Sequence, residues 1–136
     1  MSQRTIPAAC LDHAAGPRRS AAIAARHAQK RYGAERILIA DWDVHHGNGT
    51  QDIFWNDPSV LYASLHQAPL FPGTGALNEV GGAHAEGTTL NMPLEPGSDD
   101  GVYRLAFERV LLPVLREFQP DFLIVSAGFD ASYRDP

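Results

Sequence analysis

The chain is organised around residues 37–49, which have the sequence ILIADWDVHHGNG. The first part is an apolar run bounded by polar residues, which is typical of a short buried strand. If the extended backbone continues past this run, alternation places Asp41, Asp43 and His45 on one face. Buried carboxylates need a compensating charge, and carboxylate and imidazole ligands together suit zinc or a similar divalent transition metal. The stretch therefore predicts a metal site at a strand end, the alternative being a polar strand end that leans into solvent.

Composition favours a single globular domain in a reducing compartment. The 136 residues are 44% hydrophobic, which is enough to bury a core. Sixteen acidic residues against eleven basic ones argue against direct binding to nucleic acid. The single cysteine, Cys10, rules out an internal disulfide and favours the cytoplasm. No apolar run approaches the ~20 residues that cross a bilayer, so no membrane association is expected.

Strands and helices are predicted to alternate along most of the chain. Residues 1–20 contain Pro7, Gly16 and Pro17 and are expected to form an irregular lead-in. Helices are predicted over residues 20–32, 50–54 and 98–118, and strands over residues 36–41, 60–65, 88–92 and 122–127. Pro113 is expected to kink or divide the last helix. This alternation implies right-handed crossovers and a parallel sheet.

A second carboxylate, Asp130, follows the last predicted strand as Asp43 and His45 follow the first. Ligands of parallel sheets collect beyond the carboxyl ends of the strands. If the two strands are neighbours, three ligands converge and leave one coordination position open, as in a catalytic zinc site. Strand alternation points His46 away from this group.

Three motifs occur in order along the chain. They are DWDVHHGNG at residues 41–49, SLH at 64–66 followed by FPGTG at 71–75, and SAGFD at 126–130. Together they resemble the histone deacetylase / acetylpolyamine amidohydrolase family, most closely its class II-like bacterial members. The resemblance implies an open α/β, parallel-sheet, three-layer arginase/deacetylase-like fold, of which this chain is the central portion. It also implies a zinc-activated water that hydrolyses acetyl amides of lysine, as in histone-like proteins, or of polyamines.

The resemblance implies a role for individual residues. Asp43, His45 and Asp130 match the zinc ligands, and Phe71 matches an aromatic wall of the tunnel that holds the acyl-lysine chain. Asp41 matches an acid that supports the catalytic histidine pair.

Structural potassium is also implied, at two sites built from oxygen atoms. The residues are Asp41, Asp43, His45, Ser64 and Leu65 at the first site, and Phe54, Asp57 and Val60 at the second.

The chain departs from the family pattern at both ends. The family places a His-His pair, its general base and acid, ahead of the first helix, whereas residues 11–20 contain His13 alone. His13 and His46 are therefore the candidates for the acid–base and supporting roles. The family's first strand, its Gly-Phe-Cys segment and its C-terminal Gly-Gly-Tyr motif, with the tyrosine that stabilises the oxyanion, have no counterpart. We expect a deacetylase truncated at both ends, with residues 21–136 as the central part of one domain.

Two other interpretations stay open. Acid–base groups typically contribute ~10²–10⁴-fold and an oxyanion donor ~10²–10³-fold to the rate. Without them, the chain could be a catalytically inactive metal-binding fragment or an assembly module, completed by a homo-oligomer or another chain. A manganese ureohydrolase on the same fold is a weaker alternative, because that family prefers Asp-x-His-x-Asp where this chain has Asp-x-Asp-x-His-His.

Overall fold

A five-stranded parallel sheet forms the centre of the protein in this computed structural model, which describes residues 20–132 and 134–135 and the backbone of residues 8–12. The elements are β1 (Ala8–Asp12), α1 (Ser20–Tyr32), β2 (Ile37–Asp41), α2 (Asn48–Phe54), β3 (Val60–Gln67), β4 (Thr89–Leu94), α3 (Asp100–Ala106), a π-helical turn (Phe107–Leu111), α4 (Leu112–Phe118) and β5 (Phe122–Ala127). The strand order is β1-β5-β2-β3-β4, and every neighbouring pair is parallel. The predicted α/β class and parallel sheet are confirmed.

Helices cover both faces of the sheet, because the side chains of β2 alternate between two apolar clusters. Ile37 and Ile39 pack with the alanine-rich face of α1 and with Phe54 of α2. Leu38 and Ala40 point the other way, into a cluster completed by α3, the π-helical turn and α4. The predicted three-layer arrangement is therefore present.

The prediction of an irregular lead-in over residues 1–20 is wrong for Ala8–Asp12. This segment forms β1 and pairs with β5, from Ala8 opposite Leu123 to Asp12 opposite Ala127. The proline and glycine residues that argued against regular structure lie outside it. Backbone pairing with β5 supplies hydrogen bonds that a five-residue segment cannot make alone, and this tertiary pairing is invisible in a local pattern.

The long predicted helix over residues 98–118 is interrupted in the middle. It begins at a cap in which the Asp99 carboxylate accepts a hydrogen bond from the Val102 N–H (3.1 Å). The π-helical turn Phe107–Leu111 then precedes Pro113, which lies in the first turn of α4. A proline has no N–H to donate, so it is tolerated at the start of a new α-helical segment.

Ile39 tests the placement of the core, because it is fully buried at the centre of the sheet. Ile39→Ala should lower the free energy of unfolding by about 2–5 kcal/mol. Ile23→Ala is the matched control, since Ile23 is 67% exposed and its loss should change stability by less than about 0.5 kcal/mol. Urea denaturation measures both, and an equal loss in the two variants would contradict the packing described here.

Candidate metal centre

The candidate metal ligands lie where β2 and β5 end. The two strands are neighbours, with Asp41 opposite Ser126, and the Trp42 N–H donates to the Ser126 carbonyl (3.2 Å) just beyond. The chain connections diverge between these two strands. From β2 the chain continues to β3 and β4 on one side of the sheet. It then crosses the face covered by α3, the π-helical turn and α4 and reaches β5 on the other side of β2. Ligands of open α/β sheets collect in the crevice at such a point.

Asp43, His45 and Asp130 converge at this edge. Their candidate ligand atoms all lie within 4.8 Å of one another. His45 Nδ1 is 3.2 Å from Asp43 Oδ1 and 3.0 Å from Asp130 Oδ2. The structure thus brings together the three residues predicted to bind zinc, and their role as ligands stays a prediction.

Backbone N–H groups orient both carboxylates of the group. The His45 N–H donates to Asp43 Oδ1 (2.8 Å), and the Val44 N–H donates to Asp130 Oδ1 (3.0 Å). A Cβ atom at Gly128 would lie 2.6 Å from Asp43 Cα and 2.7 Å from Asp130 Oδ1. Only a residue without a side chain allows the segment after β5 to approach the segment after β2 so closely.

This donor set fits zinc. Two carboxylates and one imidazole are ligand types that zinc accepts, and three protein ligands leave a fourth tetrahedral position open. The side chains of His45 and Asp130 are 43% and 27% exposed, so the group is accessible from solvent.

Asp41 is not one of the three candidate ligands, but it supports them through a hydrogen bond with Asp43. Its carboxylate is buried, accepting hydrogen bonds from the Asp43 N–H (3.2 Å) and the Tyr62 hydroxyl (3.1 Å). Burial, together with the negative charge of Asp41, raises the pKa of Tyr62 well above its ordinary value, so this hydroxyl stays protonated. The prediction that Asp41 shares a strand face with Asp43 and His45 does not hold, because β2 ends at Asp41 and the alternation ends with it.

His66, near the carboxyl end of β3, is one of two buried imidazoles. Its Nε2 is 3.1 Å from the Gly75 carbonyl, which can only accept, so Nε2 carries the proton. Nδ1 then accepts a hydrogen bond from the Ser64 hydroxyl (2.9 Å). Burial first, and the nearby imidazole of His46 second, lower the pKa of His66 to about 4. His66 is therefore neutral at pH 7.

His46 is the second buried imidazole, and its ring centroid lies 4.7 Å from that of His66. Its Nδ1 is 2.8 Å from the Thr74 hydroxyl, and its Nε2 is 3.1 Å from the acceptor Oε1 of Gln51. Burial lowers the pKa of His46, and this outweighs the opposing effects of Gln51 and of the negative charge of Glu79. His46 is turned toward these partners and is not a member of the group of three.

A chain of side-chain amides connects His46 with Glu79. Gln51 Nε2 donates to Glu79 Oε2 (2.5 Å), and Gln51 Oε1 also accepts from Asn91 Nδ2 (2.8 Å). Burial alone would raise the pKa of Glu79, but hydrogen bonds from Gln51 and backbone N–H groups, with the nearby imidazole of His46, bring it below its ordinary value. Glu79 is therefore an anion at neutral pH.

Sequence reasoning did not identify this amide network. Gln51 and Glu79 are separated by 28 residues and Gln51 and Asn91 by 40, so no local pattern connects them. The one available signal was Asn91, an amide inside a strand that is otherwise apolar. A buried amide needs hydrogen-bond partners, and that requirement indicates a polar network nearby.

The predicted tunnel residue Phe71 lies in the loop that follows β3 and is 66% exposed. Phe129, next to Asp130, is 74% exposed. Both are large, exposed aromatic side chains on segments that follow the carboxyl ends of strands. The tunnel role of Phe71 stays a prediction.

The residues predicted to hold potassium fall into two places. Asp41 and Ser64 lie opposite each other on β2 and β3, and both are buried. Phe54, Asp57 and Val60 lie where α2 turns into β3, with the Asp57 N–H donating to the Phe54 carbonyl (2.9 Å). His13, the remaining acid–base candidate, lies outside the described residues.

Comparisons with known proteins agree with this geometry. The histone deacetylase domain model matches residues 19–136. Histone deacetylase 14, chloroplastic, of Arabidopsis thaliana is 51% identical over 115 residues, which are 85% of this chain and 27% of that protein. A probable deacetylase of Archaeoglobus fulgidus is 50% identical over 106 residues, covering 78% of this chain and 30% of its own length. The crystal structure of the HDA15 HD domain superposes with a TM-score of 0.82 at 52% identity, covering 85% of this chain and 34% of that one.

The fold is the α/β fold of the histone deacetylase domain. The chain belongs to the histone deacetylase family, as the resemblance predicted. It spans about a third or less of the length of the relatives just described.

Among residues 20–132 and the other described positions, no helix has the length and apolar character needed to cross a bilayer. The predicted cytoplasmic location stays a prediction.

Gly128 tests the close approach of the two ligand segments. Gly128→Ala should weaken zinc binding at least about tenfold, comparable to the loss of a residue that orients a metal ligand, because the added methyl group meets the backbone of Asp43. Isothermal titration with zinc measures the affinity. Gly101→Ala, in α3, is the control and should bind zinc like the parent chain. Equal affinities in all three proteins would contradict the proposed contact.

The buried imidazole of His66 predicts a pH dependence of stability. Between its ordinary pKa of 6.5 and its folded value of about 4, the unfolded chain takes up a proton that the folded chain does not. The free energy of unfolding should therefore fall as the pH is lowered from 7 to 4, by up to about 3 kcal/mol from this residue. Urea denaturation in EDTA, which excludes metal release, measures the slope. A His66→Gln variant should show a shallower slope, and parallel slopes would rule out the assignment.

Proposed function

We propose that this chain forms the zinc-binding part of an amidohydrolase that removes acetyl groups from acetyl-lysine in histone-like proteins or from acetylpolyamines. The observation that supports this most directly is the convergence of Asp43, His45 and Asp130 at the carboxyl edge of the sheet. Membership of the histone deacetylase family supports the same reaction class.

Each residue of the group has a defined task in this proposal. Asp43, His45 and Asp130 hold zinc, which when bound supplies polarisation of the acetyl carbonyl and a more acidic attacking water. The N–H groups of Val44 and His45 keep the two carboxylates oriented. Asp41 fixes the backbone at Asp43 through its own hydrogen bond.

Proton transfer and substrate binding involve residues farther from the ligands. Both ring nitrogens of His46 already have hydrogen-bond partners, so we assign it a supporting role. His13 remains the proposed acid–base group within this chain. Phe71 would flank the extended alkyl chain of the substrate, for which an exposed aromatic ring is suited.

We further propose that potassium binds near Asp41 and Ser64, which lie opposite each other on β2 and β3. A buried carboxylate favours a nearby cation, and hard oxygen atoms suit an alkali ion. The backbone carbonyls around Phe54, Asp57 and Val60 are the second proposed site. The reducing cytoplasm is the proposed location, on the ground of the single cysteine.

A catalytically inactive metal-binding fragment or assembly module is the second candidate. The observation that favours it is the shortage of acid–base groups, because His13 is the only histidine before α1 and both nitrogens of His46 are occupied. In this case a second copy or a different chain would complete the site.

The two candidates are distinguished by measuring acetate release by the zinc-loaded chain. The substrates are an acetyl-lysine peptide and an acetylated polyamine. Asp130→Ala should abolish zinc-dependent turnover and weaken zinc binding by more than about a hundredfold, exceeding the effect of losing a supporting residue. Asp135→Ala removes an exposed acid nearby and should change neither property.

Two results would change this conclusion. If the chain binds zinc but has no turnover, the active-enzyme proposal fails and the metal-binding fragment or assembly module takes its place. Equal zinc affinity in the parent chain and in Asp130→Ala would overturn both candidates, since each depends on this group.

A further inference from the structure

We propose that Glu79 is a positioning residue that clamps the segment Phe71–Gly75 against the buried histidine pair and so restricts the positions that Phe71 can adopt. The proposal deepens the proposed function, on which it rests, by naming what fixes one wall of the acyl-chain site. Glu79 contacts none of the proposed metal ligands among the hydrogen bonds of the described residues.

Three side chains hold the end of this segment: one on β3, one in the turn before α2 and one farther along the same loop. The Thr74 hydroxyl is hydrogen-bonded to His46 Nδ1 (2.8 Å), and the Gly75 carbonyl accepts from His66 Nε2 (3.1 Å). The Gly75 N–H donates to Glu79 Oε2 (3.2 Å). Gly75 therefore has both backbone polar groups tied to side chains, which is unusual for a loop residue that lies outside regular structure.

Glu79 connects this segment to α2. The same Oε2 atom that accepts from Gly75 also accepts from Gln51 Nε2 (2.5 Å). A turn brings the carboxylate back to the segment, because the Glu79 N–H donates to the Ala76 carbonyl (2.9 Å). Hydrogen bonds to an ionised acceptor are stronger than neutral ones, so Glu79 forms a strong link between the loop and the helix.

Close packing at Gly75 leaves this segment little freedom. Gly75 has a φ of +86°, and a Cβ atom there would lie 2.5 Å from His66 Nε2 and 2.6 Å from His46 Cδ2. The backbone thus lies directly on the two imidazole rings. Both rings are 2% exposed or less, so they form a fixed surface for the loop.

Phe71 lies four residues before Gly75 in this segment and is 66% exposed. Fixing Gly75 limits where the four preceding residues can place the ring. For a substrate with an extended alkyl chain, an ordered wall reduces the entropy lost on binding. The clamp therefore affects substrate binding more than the chemical step.

Amide hydrogen exchange and kinetics on the zinc-loaded chain test the proposal with three variants. Glu79→Ala removes both bonds, Glu79→Gln retains one acceptor oxygen, and Glu86→Ala removes an exposed acid from the same loop as the matched control. Thr74→Val is a second way to release the segment should Glu79→Ala fail to fold.

We expect Glu79→Ala to speed exchange over residues 70–79 by about tenfold, the equivalent of one charge-assisted hydrogen bond. KM for an acetyl-lysine peptide should rise by a similar factor while kcat and zinc affinity stay close to the parent values. Glu79→Gln should recover part of both effects, and Glu86→Ala should show neither.

Three outcomes are distinguishable. Unchanged exchange over residues 70–79 would overturn the proposal. Faster exchange that extends through β2 and β3 would also overturn it, because Glu79 would then stabilise the whole fold. If the parent chain binds zinc but has no turnover, the proposed function fails, and the exchange pattern still decides whether Glu79 holds the loop.

Discussion

The parallel pairing of β2 with β5 is the constraint on which the metal centre depends. The two strands are distant in sequence, yet Asp41 lies opposite Ser126, so the segments that follow leave the same edge side by side. Asp130 can then approach His45 to 3.0 Å, helped by the absence of a side chain at Gly128. A carboxylate from each strand end shares one imidazole, and this concentration of negative charge is what a divalent cation stabilises.

The polar side chains of His46, His66 and Glu79 have defined charges at neutral pH even without a bound cation. Burial lowers the pKa of His46 and His66, so both imidazoles are neutral. Glu79 stays ionised because its hydrogen bonds outweigh the effect of burial on its pKa. Two uncharged rings and one anion form a fixed hydrogen-bonded base under the loop that contains Phe71.

The sequence was sufficient to predict most of the elements and to identify the three proposed ligands, since both are encoded locally. The apolar runs of β2 and β5 and the polar residues directly after them give each half of the site by itself, and only the neighbour relation had to be assumed. β1 was missed because its five residues have weak local preference and depend on pairing with β5. The network of Gln51, Glu79 and Asn91 was missed for the same reason, because its contacts join residues up to 40 positions apart.

The position of Asp41 shows where reasoning from strand alternation stops being valid. Alternation holds while the backbone remains extended, and β2 ends at Asp41 itself. Beyond that residue the backbone turns, and the Asp43 N–H donates to the carboxylate of Asp41. Asp41, which was predicted to share a face with the metal ligands, instead supports Asp43 through this hydrogen bond. Functional groups at the carboxyl end of a strand lie where regular structure ends, so their orientation is set by hydrogen bonds such as this one and not by the period of the strand.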